Sequence, residues 1–75
     1  MSSSVANCIK NFRQKKKVTQ EELADAVGVS RQTIIALEKG NYIPSLLLAL
    51  SIADYFNESV EKIFHLEKSK RCSYF

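Results

Sequence analysis

One turn in the N-terminal half of the chain constrains the fold more than any other feature. The segment before it begins after Thr19, an N-cap residue that can form a capping box with Glu22. It ends at Gly28, because glycine adopts the left-handed conformation that closes a helix at no steric cost. Only Val29 separates that glycine from Ser30, a second N-cap residue. The pattern therefore predicts two short helices in close succession.

The spacing of small and apolar residues fits two helices that pack against each other. Counted from Gln20, the small Ala24 is fifth, where the helices must approach closely, and Gly28 is ninth, at the turn. Ile34 is fifteenth and Leu37 eighteenth, and both anchor the second helix to the core. Two short helices joined in this way have the geometry of a helix-turn-helix. In that motif the second helix enters the major groove of DNA.

The rest of the chain predicts an all-α fold with five helices. Apolar residues recur at helical spacing, and a serine or threonine precedes each of the predicted helices. The predicted helices cover about residues 5–16 (capped by Ser4), 20–27, 31–39, 46–56 and 60–64. We expect residues 1–4 to be a disordered arm and 5–66 to be the domain. For the tail, 67–75, a frayed end, a short strand and a partner-docking segment all stay open.

Composition excludes several classes of protein. The 75 residues suffice for one small domain, and the apolar run Leu46 to Leu50 is far shorter than the roughly 20 residues of a membrane span. No secretory signal is visible, so we expect a cytoplasmic protein whose cysteines stay reduced. Cys8 is expected to be a small buried hydrophobic residue, and Cys72 has no assigned role. No metal-ligand spacing, nucleophile–base pair or phosphate loop is present, so no metal, cofactor or enzymatic activity is expected.

The net charge of +3 comes from the N-terminal half of the chain. Residues 1–40 hold seven basic and four acidic side chains, whereas residues 41–75 hold four of each. The excess includes a basic run over residues 10–17 that contains no acid. Such a run is either a solvated helix end or a surface that faces phosphates, and charge alone leaves both interpretations open.

The outward face of the second motif helix suits the edges of DNA bases. A helical wheel places three residues inward: Thr33, Ile34 and Leu37. Ile35 and Ala36 point outward, where apolar side chains gain little from water but can contact the thymine methyl group. Arg31 can bind guanine and Gln32 can bind adenine, and both stand at the N-terminal end that reads bases in this geometry. We therefore expect these four residues to read the DNA sequence.

The segments Val18 to Ala24, Gly28 to Ile34 and Glu38 to Gly40 resemble the phage-repressor-like family of helix-turn-helix regulators, also called Xre-type or lambda-repressor-like. The match continues from Pro44 to Phe64, so the resemblance covers about residues 5–66. It implies a five-helix domain that binds a two-fold symmetric DNA operator as a homodimer, most often as a repressor. The expected place of action is the nucleoid.

The resemblance also implies roles for individual residues. Gln20 would contact a phosphate and brace the recognition helix, and Arg13 would pair with Glu38. The wheel places Glu38 at the margin of the core, where such a pair is physically reasonable. Together with the basic run, the residues expected to contact or brace against the DNA backbone are Gln20, Ser30, Thr33, Lys39, Arg13, Lys16 and Lys17.

Several apolar residues depart from the pattern of the short family members. Leu47 and Ile43 stand where polar residues are usual, and the chain ends in Tyr74 and Phe75. They are either tolerated exposed residues or parts of an enlarged dimer interface. The surplus of apolar residues over 43–50 and the aromatic end also support an alternative hypothesis, in which the helix-turn-helix is only a scaffold and the chain is a protein-interaction module, such as an antitoxin-like partner.

Overall fold

The computed structural model describes residues 5–67 and residue 72. In chain order its elements are β1 (Val5–Asn7), α1 (Ile9–Lys16), α2 (Gln20–Val27), α3 (Arg31–Glu38), α4 (Leu46–Phe56), α5 (Val60–Ile63) and β2 (Phe64–Leu66). The predicted five-helix fold is confirmed, with one short strand pair added. The predicted arm, most of the tail, and with it Tyr74 and Phe75, lie outside the described residues.

The start of the first helix was predicted wrongly. Residues 5–7 form β1, which pairs antiparallel with β2, so that Val5 lies opposite Leu66 and Asn7 opposite Phe64. The apolar spacing of this segment fits a helix, but the partner strand is at the other end of the domain and local periodicity does not reveal it. For the same reason the fifth helix ends at Ile63 rather than at Phe64, and the strand precedes the tail.

The ends of the motif helices follow the predicted local chemistry. The Thr19 side chain accepts a hydrogen bond from the Glu22 N–H at 3.0 Å, and the Thr19 N–H donates to Glu22 Oε1 at 2.8 Å. Gly28 closes α2 with a φ of 78°. The Ser30 side chain then accepts from the Thr33 N–H at 3.2 Å and starts α3. The turn between the two helices is thus set by residues that satisfy the free backbone groups at both helix ends.

Each helix contributes at least one fully buried apolar side chain to a single core. Ile34 and Leu37 of α3 have no exposed surface, as the wheel predicted, and the same holds for Leu23 and Ile52. Ala24 is 1% exposed, in agreement with its predicted place where α2 and α3 approach each other. Within residues 5–67, no helix is both long enough and apolar enough to cross a membrane.

The two cysteines form a disulfide, which corrects the prediction that they stay reduced and isolated. Cys8 is fully buried, as expected, but it is bonded to Cys72 with a Cα–Cα distance of 5.6 Å. The two residues are 64 positions apart in the sequence. Their proximity depends on the pairing of β1 with β2, so neither spacing nor composition indicates it.

Replacing the residue that ends α1, Lys17, should stabilise the domain. Lys17 ends this helix in the left-handed conformation, with a φ of 61°. A side chain in that conformation costs about 1 kcal/mol, so Lys17→Gly should raise the melting temperature by about 4–8 °C. Asn57→Gly is the matched control, because Asn57 has a φ of 56° but asparagine tolerates this conformation. A thermal melt in which Lys17→Gly gains no more than Asn57→Gly contradicts this account.

Candidate nucleic-acid interface

The first turn of α3 carries two of the predicted base-reading residues at the surface of the domain. Arg31 and Gln32 are exposed, whereas Ile34 behind them is fully buried and holds the helix in place. The hydroxyl groups of Ser30 and Thr33 lie 3.0 Å apart, and Ser30 also caps the helix. The N-terminal end of α3 is therefore fixed by its cap and by the core while its two long polar side chains face solvent.

The middle of α3 is less open than the helical wheel indicates. Ile35 and Ala36 are both half-buried rather than pointing freely outward. A wheel treats the helix as isolated, but in the structure Ile35 lines a surface cleft together with side chains of α1 and α2. These two residues keep part of their surface exposed, less than a solvent-facing position would give.

An ion-paired network joins α3 to α1 and α2. Arg13 Nε donates to Glu38 Oε2 at 2.8 Å, and Arg13 Nη1 donates to the Val18 carbonyl at 3.0 Å. Gln20 Nε2 donates to Glu38 Oε1 at 3.1 Å. The Arg13 and Glu38 side chains are only 13% and 7% exposed. The pair implied by the resemblance is thus present, and Gln20 braces the end of α3.

Two surface clefts that border this network are lined by four of the seven predicted backbone-contacting residues, whereas Ser30, Thr33 and Lys16 line neither. The first, which we call the Arg31 cleft, is lined by Arg13, Gln14, Lys17, Val18, Thr19, Gln20, Glu21 and Arg31. The Lys39 cleft is lined by Lys10, Arg13, Gln20, Ile35, Glu38 and Lys39. Because Arg13 and Gln20 border both clefts, the surface next to α3 is continuous. Lys16 lies elsewhere, with its Nζ 5.5 Å from the centre of the Tyr55 ring.

The charge on this surface is positive. The two clefts contain five cations, Lys10, Arg13, Lys17, Arg31 and Lys39, against the carboxylates of Glu21 and Glu38. Since Arg13 already neutralises Glu38, the remaining balance attracts an anion such as a phosphate backbone. In the described part of the chain, no three His, Cys, Asp or Glu residues are grouped so as to hold a metal ion.

Asn7 is a positioning residue that the sequence analysis missed. Its Nδ2 donates to the Leu37 carbonyl at 2.8 Å, and its Oδ1 accepts from the Ile9 N–H at 3.1 Å. The side chain thus satisfies the N–H of the first residue of α1 and supports the last turn of α3 at the same time. An asparagine side chain commonly bonds a backbone group two residues further on, as in the first contact. Nothing in the local sequence indicates the second contact, which joins residues 30 positions apart.

A second surface is apolar. Leu47 and Ile43, which the sequence singled out, are 76% and 70% exposed. Leu46 and Leu50 on α4 and Tyr42 before it are also exposed, at 73%, 50% and 45%. We refer to these five residues as the apolar face. Leu46 and Leu50 belong to the apolar surplus over residues 43–50, and their spacing along α4 places them near Leu47.

The geometry defines a class of protein. A capped surface helix that packs against a second helix across a tight turn and lies beside several cations defines a helix-turn-helix domain. The helix-turn-helix family model matches residues 9–63. The chain belongs to this family, in its Xre-type, lambda-repressor-like form, a class of DNA-binding transcriptional regulators and not of enzymes.

Similar proteins are found among both sequences and solved structures. The chain is 55% identical over 62 residues to an uncharacterized HTH-type transcriptional regulator of Archaeoglobus fulgidus, covering 83% of this chain and 87% of that protein. The crystal structure of a putative DNA-binding protein from Bacteroides fragilis superposes with a TM-score of 0.74 at 26% identity, covering 81% of this chain and 98% of that one. The restriction-modification controller protein C.AhdI from Aeromonas hydrophila gives a TM-score of 0.66 at 27% identity, covering 69% and 79% of the two chains.

Proposed function

We propose that this protein is a sequence-specific transcriptional repressor that inserts α3 into the major groove of an operator. The observation that carries the proposal is the exposed pair Arg31 and Gln32 at the capped start of a helix whose opposite side is fixed by Ile34 and Leu37. The repressor role follows from the resemblance, since a small domain that occupies an operator blocks the access of other proteins to that DNA. The protein would act in the cytoplasm, at the nucleoid.

The proposed base contacts divide between hydrogen bonds and apolar packing. Arg31 binds guanine through its two-pronged guanidinium group, and Gln32 binds adenine through its amide. Ile35 and Ala36 contact thymine methyl groups with the part of their surface that stays exposed. Because these two are half-buried, we expect Arg31 and Gln32 to contribute most of the sequence preference.

The proposed backbone contacts come from both clefts. Lys17 in the Arg31 cleft and Lys39 in the Lys39 cleft bind phosphates on either side of α3, and Gln20 between them contacts a third. Ser30 and Thr33, at the start of α3, approach the DNA backbone. Arg13 is committed to Glu38 and to the Val18 carbonyl, so it acts by positioning. Lys16, beside Tyr55, adds positive charge rather than a direct contact.

The proposal includes a homodimer on a two-fold symmetric operator. Half-sites one turn of DNA apart, about 34 Å, need two copies of the recognition helix. The apolar face is the described surface best suited to hold a second copy, because exposed large apolar side chains are concentrated there. The same face is what favours the alternative, an interaction module bound to a second protein. Co-purification of another polypeptide, together with no DNA affinity at low salt, is the outcome that selects the alternative.

Selection from random DNA followed by gel-shift titration tests the proposed function. Gln32→Ala should cost about 1–3 kcal/mol at one base position of the selected operator and leave other positions unchanged. Lys39→Ala should weaken binding to all sequences alike. It should also reduce the slope of log affinity against log salt concentration by about one, the value for one lost phosphate contact. Lys62→Ala on α5 removes the same charge outside both clefts and is the control. If neither Gln32→Ala nor Lys39→Ala changes binding, this assignment of the interface is wrong.

A further inference from the structure

The disulfide joins a buried position to an exposed one near the two ends of the domain. Cys8 has no exposed surface, whereas Cys72 is exposed. Cys8 lies between β1 and α1, and Cys72 follows β2 in the sequence. A reagent that attacks this bond therefore approaches from the side of Cys72, and Cys8 is the sulfur that leaves into the core.

The segment held by this bond contacts the ends of two helices. The Cys8 N–H donates to the Ile63 carbonyl at 2.8 Å, at the end of α5. Its neighbour Asn7 donates to the Leu37 carbonyl at 2.8 Å, at the end of α3. The strand pair that carries this segment has only three residues on each side. Phe64 of this pair lies in the core and Val5 packs against it, and the covalent link adds a restraint between the two ends of the pair.

We propose that Cys8–Cys72 is a thiol–disulfide exchange site, and that its reduction loosens the β1–β2 pair and the support for α3. The reductant is a dithiol. One thiolate of the dithiol attacks the Cys72 sulfur, and Cys8 leaves as a thiolate that takes up a proton. The second thiolate of the dithiol then attacks the dithiol sulfur that is bonded to Cys72. This closes the ring of the cyclic disulfide and releases Cys72 as a thiolate, which takes up a proton. The protein disulfide becomes two thiols, and the dithiol becomes a cyclic disulfide.

The expected effect on stability is large because the link closes almost the whole chain. The bonded residues are 64 positions apart, and a cross-link restricts the unfolded chain more when it closes a longer loop. For a domain of this size, reduction should lower the melting temperature by about 10–25 °C. The Cys8 amide, protected by the Ile63 carbonyl, should also exchange its hydrogen faster.

The regulatory consequence rests on the proposed function. At a temperature between the two melting points, the oxidised protein is folded and presents α3, whereas the reduced protein is mostly unfolded. Binding to the selected operator should then be lost on reduction and return on reoxidation. The site therefore makes operator occupancy respond to dithiol reductants.

The test uses the full chain, oxidised, with thermal melts and hydrogen exchange before and after dithiothreitol. Cys72→Ser removes the bond at an exposed position and should melt like the reduced wild-type chain. Dithiothreitol should leave the melting temperature of Cys72→Ser unchanged, which controls for other effects of the reagent. The proposal is overturned if the wild-type melting temperature is the same with and without dithiothreitol, or if mass spectrometry shows both thiols free in the chain before dithiothreitol is added.

Gel shifts of the same samples separate this proposal from the proposed function. Loss of operator binding only in the reduced state supports both the exchange site and the DNA-binding role. A shift in melting temperature with no operator binding in either state leaves the exchange site intact and overturns the DNA-binding role. Operator binding that is equal in both states, between the two melting points, overturns the regulatory part of the proposal.

Discussion

Glu38→Ala is expected to lower the free energy of unfolding by about 3 kcal/mol, because it leaves the Arg13 guanidinium almost buried without its carboxylate partner. Arg13 is 13% exposed and loses the hydrogen bond of 2.8 Å from its Nε to Glu38 Oε2. Gln20 loses its acceptor as well. Urea denaturation followed by circular dichroism measures the change.

A matched control and a double variant show whether the charge pair is the cause. Glu58→Ala removes the carboxylate of the Lys62–Glu58 pair, whose side chains are 51% and 32% exposed, and should cost only about 0.3–0.5 kcal/mol. Arg13→Met combined with Glu38→Leu removes both charges and should recover much of the loss, since an apolar pair of similar size packs in place of the ions. Equal losses for Glu38→Ala and Glu58→Ala would refute the role of burial.

The parts of the fold that the sequence predicts well are those governed by local chemistry. Thr19, Gly28 and Ser30 act on backbone groups within three or four residues, so their identity suffices to place the ends of α2 and α3. The β1–β2 pair and the Cys8–Cys72 bond depend on contacts between the ends of the domain. A single sequence carries no local signal for such contacts, and the helical spacing of residues 5–8 pointed to the wrong element.

The same division holds for the candidate interface. Arg31 and Gln32 are exposed at the helix start, where the turn register predicted them. The half-burial of Ile35 and the bond from Asn7 to the Leu37 carbonyl were not predictable, because both result from neighbouring elements that a helical wheel omits. α3 is therefore held by residues outside the motif as well as by its own turn.

The apolar face should have its largest effect on function through the proposed dimer. Two recognition helices bound to linked half-sites gain about 10²–10⁴ in affinity over one, because the second contact becomes intramolecular. This gain is lost when the two copies separate, whereas the contacts of each domain with its own half-site remain. A charge in the middle of the interface between the copies should therefore abolish the gain while the affinity of one domain for one half-site stays the same.

Leu47→Glu is the variant that makes this change, since Leu47 is 76% exposed and its replacement disturbs no core contact. We expect sedimentation to show a monomer, and the affinity for the complete operator to fall by about 10²–10⁴ while that for a single half-site is kept. Leu66→Glu introduces the same charge on β2, at a side chain 46% exposed, and should leave the dimer intact. A dimer that survives Leu47→Glu places the interface elsewhere, whereas a monomeric wild-type chain that still binds the full operator removes the need for a dimer.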